Sequence, residues 1–313
     1  MTDLWPGDEV EEVISEQPQE PNWKLYRRGG MISRRDESTL TEFGKDMASS
    51  RSDRDASFRR DGQGIAESFL ACFRALNVPG TIWYLLFTLD RVFAEDEKRS
   101  LYFHRAMQEN ARQVGEAVAG ASAPAAQEAA DVQHFGYFKP LLRMIPATEG
   151  AEDVPSMQLR WRALSVLRVL LSTARAQDFD QGLLLEQQRQ CLHAVLSAVA
   201  REVHQLPGDL LEEERSTELQ HQQGGGGIGG ASRRAVLLLR AKALQASLEL
   251  FQQLVAIAPC RTYFLECRGL ELLMQPALLS PRSALLLDAP VDTQYPRWLT
   301  LSRLSTFVRL RLE

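Results

Sequence analysis

The sequence predicts an all-α chain of stacked helix pairs, on three observations. Ala, Leu, Arg, Glu and Gln dominate its 313 residues and β-branched residues are sparse, a composition that favours helix. Apolar residues recur at helical spacing in one segment after another. In 81–104, Ile82, Leu85, Leu86, Leu89 and Val92 or Phe93 fall on one face, with Asp90 and Arg91 interrupting the run on the other. Between such segments stand short corners of Pro and Gly or of mixed charge, such as Asn77-Val78-Pro79-Gly80 and Glu95-Asp96-Glu97-Lys98-Arg99. Helix, corner, helix over this length reads as an armadillo/HEAT-like α-solenoid, an elongated array that needs no single large core.

Residues 1–21 carry Asp and Glu without Lys or Arg and are punctuated by Pro6, Pro18 and Pro21, so they predict an acidic disordered arm. The helical-repeat domain is expected over 22–279. It opens with Trp23 and Tyr26, a turn at Gly29-Gly30, and Met31-Ile32 before Ser33. Ser33 is placed as an N-cap, with Asp36 in the capping-box position. The mixed charges of 47–61 predict a solvated linker. Ile65, Phe69, Cys72, Phe73 and Leu76 restore the apolar period, and Pro79-Gly80 stops it ahead of the helix already described.

Beyond the charged corner, Leu101, Tyr102 and Phe103 start a second, shorter helix. The alanine-rich stretch 116–130, divided by Pro124, is given no role. Leu159, Trp161, Leu164, Leu167, Leu170 and Leu171 mark a heavily buried helix after Pro155, and Leu192, Val195, Leu196, Val199 and Val203 another. The acidic, Gln-rich and Gly-rich segment 208–232 predicts a flexible loop. Leu237, Leu244, Leu248, Phe251 and Val255 form the next stripe. Then CRTYFLECRGLELL gives a short aromatic helix, a Gly turn at Gly269 and a leucine-rich helix. Pro276, Pro281, Pro290 and Pro296 break the pattern, which makes 280–313 an irregular tail.

Four of these stretches, in this order, resemble the H subunit of the vacuolar-type proton ATPase (V-ATPase). The first is Asn22, Trp23, Tyr26, Gly30, Met31, Ile32 and Ser33. The second is Thr81, Ile82, Tyr84, Leu86, Leu89, Asp90, Glu95, Asp96, Arg99, Phe103 and His104. The third is the aromatic pair Tyr137-Phe138 ahead of Pro140, Leu141 and Leu142, and the fourth is Arg261, Phe264, Glu266, Gly269 and Leu270. The first two strings are the specific ones. The resemblance implies a non-catalytic regulatory subunit of the peripheral ATP-hydrolysing sector, one that couples hydrolysis to proton transport. It also implies docking on the E–G peripheral stalk and the soluble domain of the membrane sector's a subunit, on the cytosolic face of endomembranes. Family members continue into a C-terminal domain that silences the detached ATPase sector. The last forty residues here do not resemble it, so that inhibition is not expected. Trp23, Tyr26, Met31 and Ile32 are the candidates for partner contact, weighed against core packing of the first helices.

The residues themselves point to no active site, cofactor or metal. There is no P-loop, and the Gly-rich 224–229 matches G-x-G-x-x-G only formally, since no buried strand precedes it. The five histidines form no H-x-x-x-H pair, and Glu95-Asp96 and Glu212-Glu213-Glu214 read as solvated corners. The four cysteines lack a disulfide or zinc spacing. A net charge of −5 without a basic, aromatic-interleaved stripe argues against nucleic acid. No run reaches the ~18 apolar residues of a membrane helix, and the acidic start is unlike a signal peptide, so a soluble cytosolic protein is expected. The alternative is a generic armadillo-repeat adaptor for peptide or protein partners. Its groove would need Trp at regular spacing, which Trp5, Trp23, Trp83, Trp161 and Trp298 do not show.

Overall fold

Capping chemistry decides where the first helices of the computed structural model start and stop. The structure describes residues 17–119, 141, 154–175, 192–200, 228–255 and 258–269, and among them there is no strand. Helix α1 (Trp23–Arg28) starts where Asn22 Oδ1 accepts from the Leu25 amide at 3.3 Å. It ends in a Schellman turn: the Met31 amide donates to Tyr26 O and the Gly30 amide to Arg27 O, both at 3.0 Å. Gly30 sits there at φ +72°, where a side chain would be strained. Helix α2 (Arg34–Ala48) begins with the expected capping box. Ser33 Oγ accepts from the Asp36 amide at 3.1 Å, and the Ser33 amide donates to Asp36 Oδ2 at 3.0 Å.

The expected linker over 47–61 is instead the first half of a helix, α3 (Arg51–Ala75). A second capping box, Ser50 with Asp53, starts it, and Arg54, Ser57 and Phe58 are buried. Arg51, Asp53, Arg59, Arg60 and Asp61 are exposed, as expected of a solvated charge run; the exception is Arg54, which finds its partners inside. At Asp61 the backbone leaves helical values (φ −150°, ψ 51°), and Asp61 Oδ1 accepts from the Gly64 amide at 2.9 Å. Asp61 therefore serves as an N-cap inside the helix, and α3 is two helices joined at a kink. Gly62 makes room for the Tyr102 ring, whose atoms lie 2.8 Å from where a β-carbon would stand.

Helix α4 (Pro79–Glu95) takes Pro79 at its first position, where a missing amide hydrogen costs nothing. Its predicted stripe is the buried one: Ile82, Leu85, Leu86, Leu89, Val92 and Phe93 are all at most 2 % exposed. After Asp96 a 3₁₀ turn (Glu97–Arg99) leads into α5 (Ser100–Ala119), which is longer than the short helix expected there. Phenylalanine rings tie these helices into one core. Phe43 on α2 meets Phe58 and Phe69 on α3 at 5.4 and 5.9 Å, and Phe103 on α5 meets Phe69 and Phe93 at 6.1 and 5.3 Å, all edge to face.

Further on come α6 (Val154–Arg175), α7 (192–200), α8 (Ile228–Val255) and α9 (Ala258–Glu266). The described residues within Gln17–Arg143 and Ser165–Gln187 form one compact unit, and those within Met144–Leu164 and Gln188–Glu313 a second. In the first unit, Ser165 Oγ donates to Asp90 Oδ1 at 2.6 Å. In the second, Met157, Ala235 and Leu239 form a core on which Val154, Trp161, Val236 and Leu238 pack, and Phe251 meets Phe264 edge to face at 5.7 Å. Gly269 is buried, and the Phe264 ring fills the place where a β-carbon would stand, so the glycine expected to permit a close turn has a packing reason. The left-handed residue of that turn is Arg268 (φ 56°), not the glycine.

Helix α8 begins at Ile228, inside the segment expected as a loop. Gly229 and Gly230 fall in its first turn, outside the helix interior where glycine costs most. The acidic arm up to residue 16, the rest of that loop, the Pro124 segment, Tyr137 to Pro140 and the tail 280–313 lie outside the described residues.

Candidate functional site

The candidate partner residues sit at the corner between α1 and α2, against α4. Trp23 is 3 % exposed. Its indole Nε1 donates to Glu20 Oε1 at 3.2 Å, and its ring meets Tyr84 edge to face at 5.9 Å. Burial, helped by the Glu20 charge and opposed by a hydrogen bond with Thr88, pushes the Tyr84 phenol up to about 12, so it stays neutral. The Tyr26 hydroxyl and Thr81 Oγ1 share a hydrogen bond of 2.6 Å. Ile32 is buried, whereas Met31 is 51 % exposed and nearby in sequence Leu25 is 64 % exposed. Trp23 and Tyr26 thus hold α1 to α4, and of the four candidates Met31 is the one that faces outward.

Within the charged corner 95–99, expected to be solvated, Glu97 and Lys98 are exposed, but Glu95 and Arg99 belong to a largely buried ion network. Arg54 and Arg99 side chains are 5 % and 3 % exposed and Glu95 16 %. Arg54 donates through Nε to Glu95 Oε2 at 3.0 Å and through Nη2 to Glu95 Oε1. Arg99 Nη1 donates to Glu95 Oε2 at 2.9 Å, and its Nη2 pairs with Asp55. The remaining donors reach helix ends. Arg54 Nη1 donates to Met47 O and Ser49 O at 3.3 and 2.7 Å, Arg99 Nη1 to Val92 O at 3.2 Å, and Arg51 Nη2 to Glu95 O at 2.8 Å. Guanidinium groups thus bond carbonyls at the ends of α2 and α4, although Val92 O also accepts from the Asp96 amide at 3.3 Å.

Near neutral pH this network is electrically fixed. Burial alone would push the Glu95 carboxyl up, but hydrogen bonds and charges from Arg54 and Arg99 outweigh it and hold the group below the usual carboxylate range. A hydrogen bond from Arg99 lowers Asp55 in the same way. Burial, with a smaller push from Asp36, raises the Cys72 thiol to about 12. It lowers His104 to about 4 against a hydrogen bond with the Leu170 backbone. His104 Nε2 lies 3.0 Å from Thr173 Oγ1, which also accepts from Ser100 Oγ at 2.8 Å. Near pH 7 these carboxylates are charged, the thiol is protonated and the imidazole neutral, so none of these four groups is poised to exchange a proton there.

The i, i+4 pair Glu95–Arg99 was readable from spacing. Arg54 and Asp55 carried no such signal, because their partners lie more than forty residues away. Cys260 is buried and Cys267 exposed, and His193 is exposed. Among the described residues no group of three His, Cys, Asp or Glu could hold a metal ion, and no helix is long and apolar enough to cross a membrane. No family model matches the chain, and no curated protein matches it either.

Proposed function

We propose that this chain is a non-catalytic regulatory subunit of a vacuolar-type proton ATPase, an armadillo/HEAT-like solenoid docking on the E–G stalk and the soluble domain of the a subunit. It would act on the cytosolic face of endomembranes through that complex. The observation that carries the reading is that the two specific strings resembling the H subunit are physically one feature. Tyr26 bonds Thr81 at 2.6 Å and Trp23 meets Tyr84 at 5.9 Å, so residues that match far apart in sequence meet in the fold. Within the first unit, helices capped and pinned at their corners give a docking partner a firm surface.

The test is calorimetric titration of the full chain with a purified E–G stalk heterodimer from the same source. Leu25→Asp/Met31→Asp is the variant to compare, since both residues are exposed and neither holds α1 to α4. The reading expects saturable binding that the variant weakens. A folded chain that binds no stalk would move the assignment to a generic armadillo-repeat adaptor.

A further inference from the structure

Beside the ion network lies a hollow of about 400 Å³ walled by α3, the turn 97–99 and the start of α5. Five cations line it, Arg51, Arg59, Lys98, Arg99 and Arg105, against two carboxylates, Asp55 and Asp96. Both carboxylates are already engaged: Asp55 pairs with Arg99, and Asp96 Oδ1 accepts from the Lys98 amide at 3.0 Å. Three of the cations keep donors to spare. Arg59 commits Nε to Asp55 O at 3.2 Å and keeps its terminal nitrogens. The Lys98 ammonium and the Arg105 guanidinium make no hydrogen bond or ion pair with the described residues, and both residues are exposed. Arg99 is neutralised by Asp55 and Glu95, so the cations that could meet an anion in this concave site are Arg59, Lys98 and Arg105.

The walls narrow the choice of anion. The rings of Phe58 and Tyr102 stand 5.9 Å apart, tilted by 34°, and Arg99 lies over the Phe58 ring at 5.1 Å. Guanidinium forks match carboxylate and phosphate oxygens alike, so the choice rests on charge. A phosphate ester carries about −1.5 to −2 near neutral pH against about −1 for a carboxylate, and three cations with donors to spare favour the higher charge. The volume lies at the small end of the ~300–1,000 Å³ typical of small-molecule sites. We propose that this hollow binds a small phosphate ester, its dianionic phosphate held by Lys98, Arg105 and Arg59 and its organic part against Tyr102, which the buried Phe58 ring backs. The site is independent of the α1 corner, so it stands whether or not the chain docks on a stalk.

The experiment titrates the full chain with phenyl phosphate, inorganic phosphate and benzoate, and repeats the titration on Lys98→Glu/Arg105→Glu. These two side chains hold nothing else among the described residues, so the variant should fold, which circular dichroism checks. Phenyl phosphate should bind more tightly than inorganic phosphate, and benzoate weakly or not at all. The variant should lose about tenfold or more in affinity, the loss of two charged contacts. Affinity should also fall with added salt. Binding left unchanged by the double variant would overturn the proposal, as would benzoate matching phenyl phosphate, or no binding of phenyl phosphate. A phosphotyrosine peptide that binds where phenyl phosphate does not would refute it too, because the hollow would then belong to a protein surface.

Discussion

Replacing Glu95 by Gln keeps the shape of the ion network and removes its central charge. In the native protein that carboxylate takes three hydrogen bonds from two guanidinium groups that are 5 % and 3 % exposed. Breaking a buried pair by deleting one partner typically costs ~3–5 kcal/mol, because a charge is left in a poorly solvated place. Here the cost is moderated. Arg54 keeps Met47 O and Ser49 O, Arg99 keeps Val92 O and Asp55, and Glu95 itself is 16 % exposed. The expectation is a loss of about 2–3 kcal/mol. At ~2–4 °C per kcal/mol for a unit of this size, the midpoint should fall by about 5–10 °C.

The assay is thermal unfolding by circular dichroism, joined to amide exchange in α3 and α4 so that the change is located. Glu97→Gln, in the same corner and exposed, is the control and should stay within ~0.5 kcal/mol. The acid side adds a check of sign. Because the Glu95 carboxyl is held low in the fold, its stabilisation is present above the unfolded carboxylate pKa of about 4.3 and is lost as pH falls through the lower folded value. The gap between wild type and Glu95→Gln should therefore close in strong acid. Equal midpoints for the two variants at pH 7 would refute the reasoning, since the corner would then be solvated as the sequence alone suggests.

His104 should give the fold a second, separate pH dependence. Its folded pKa of about 4 lies below the unfolded ~6.5, so stability is full above 6.5 and declines as pH falls toward 4, by at most about 3 kcal/mol. His104→Gln should flatten urea midpoints across that window, and a wild-type curve already flat there would contradict the burial argument. Gly269→Ala should destabilise the second unit by ~1–3 kcal/mol, because a β-carbon there meets the Phe264 ring and not the end of a flexible chain. A neutral result in thermal unfolding would mean that the ring has room to move. Tyr26→Phe removes a 2.6 Å hydrogen bond between α1 and α4 and should cost about 1 kcal/mol, read as faster amide exchange in α1 with little change in α3. Uniform protection in both helices would count against the link.

What was legible in the sequence followed from local rules. Ser33 with Asp36 and the stripe from Ile82 to Phe93 are each decided by neighbours within a few residues, and the structure holds both, whereas Pro79, expected to stop one helix, opens the next. The corner 47–61 was not legible, and the reason is physical. A charged residue is expected outside because burying it alone is prohibitive, but Arg54 is not alone. Its partner Glu95 lies in another helix, and the two residues are adjacent only after α3 and α4 have packed. Of the candidate site, the α1 corner could be located from its string. The hollow at Lys98 and Arg105 could not, because its cations come from α3, the turn after α4 and α5, and nothing in one segment announces the others.

The arginines of this corner act where an apolar stripe cannot. Leucine against leucine rewards contact, and the attraction itself has no direction; shape complementarity must supply what direction there is. A guanidinium fork bonded at once to a carboxylate and to particular carbonyls admits one placement. Arg54 joins the end of α2, at Met47 and Ser49, to the end of α4, at Glu95, while Arg99 joins the end of α4, at Val92, to Asp55 on α3. Lysine could supply the charge but not the fork. The stripe on α4 therefore provides most of the burial, and the ion network fixes the register in which that burial occurs. The same packing brings Lys98 and Arg105 to one rim, so the hollow's charge is set by the register that Arg54 and Arg99 enforce.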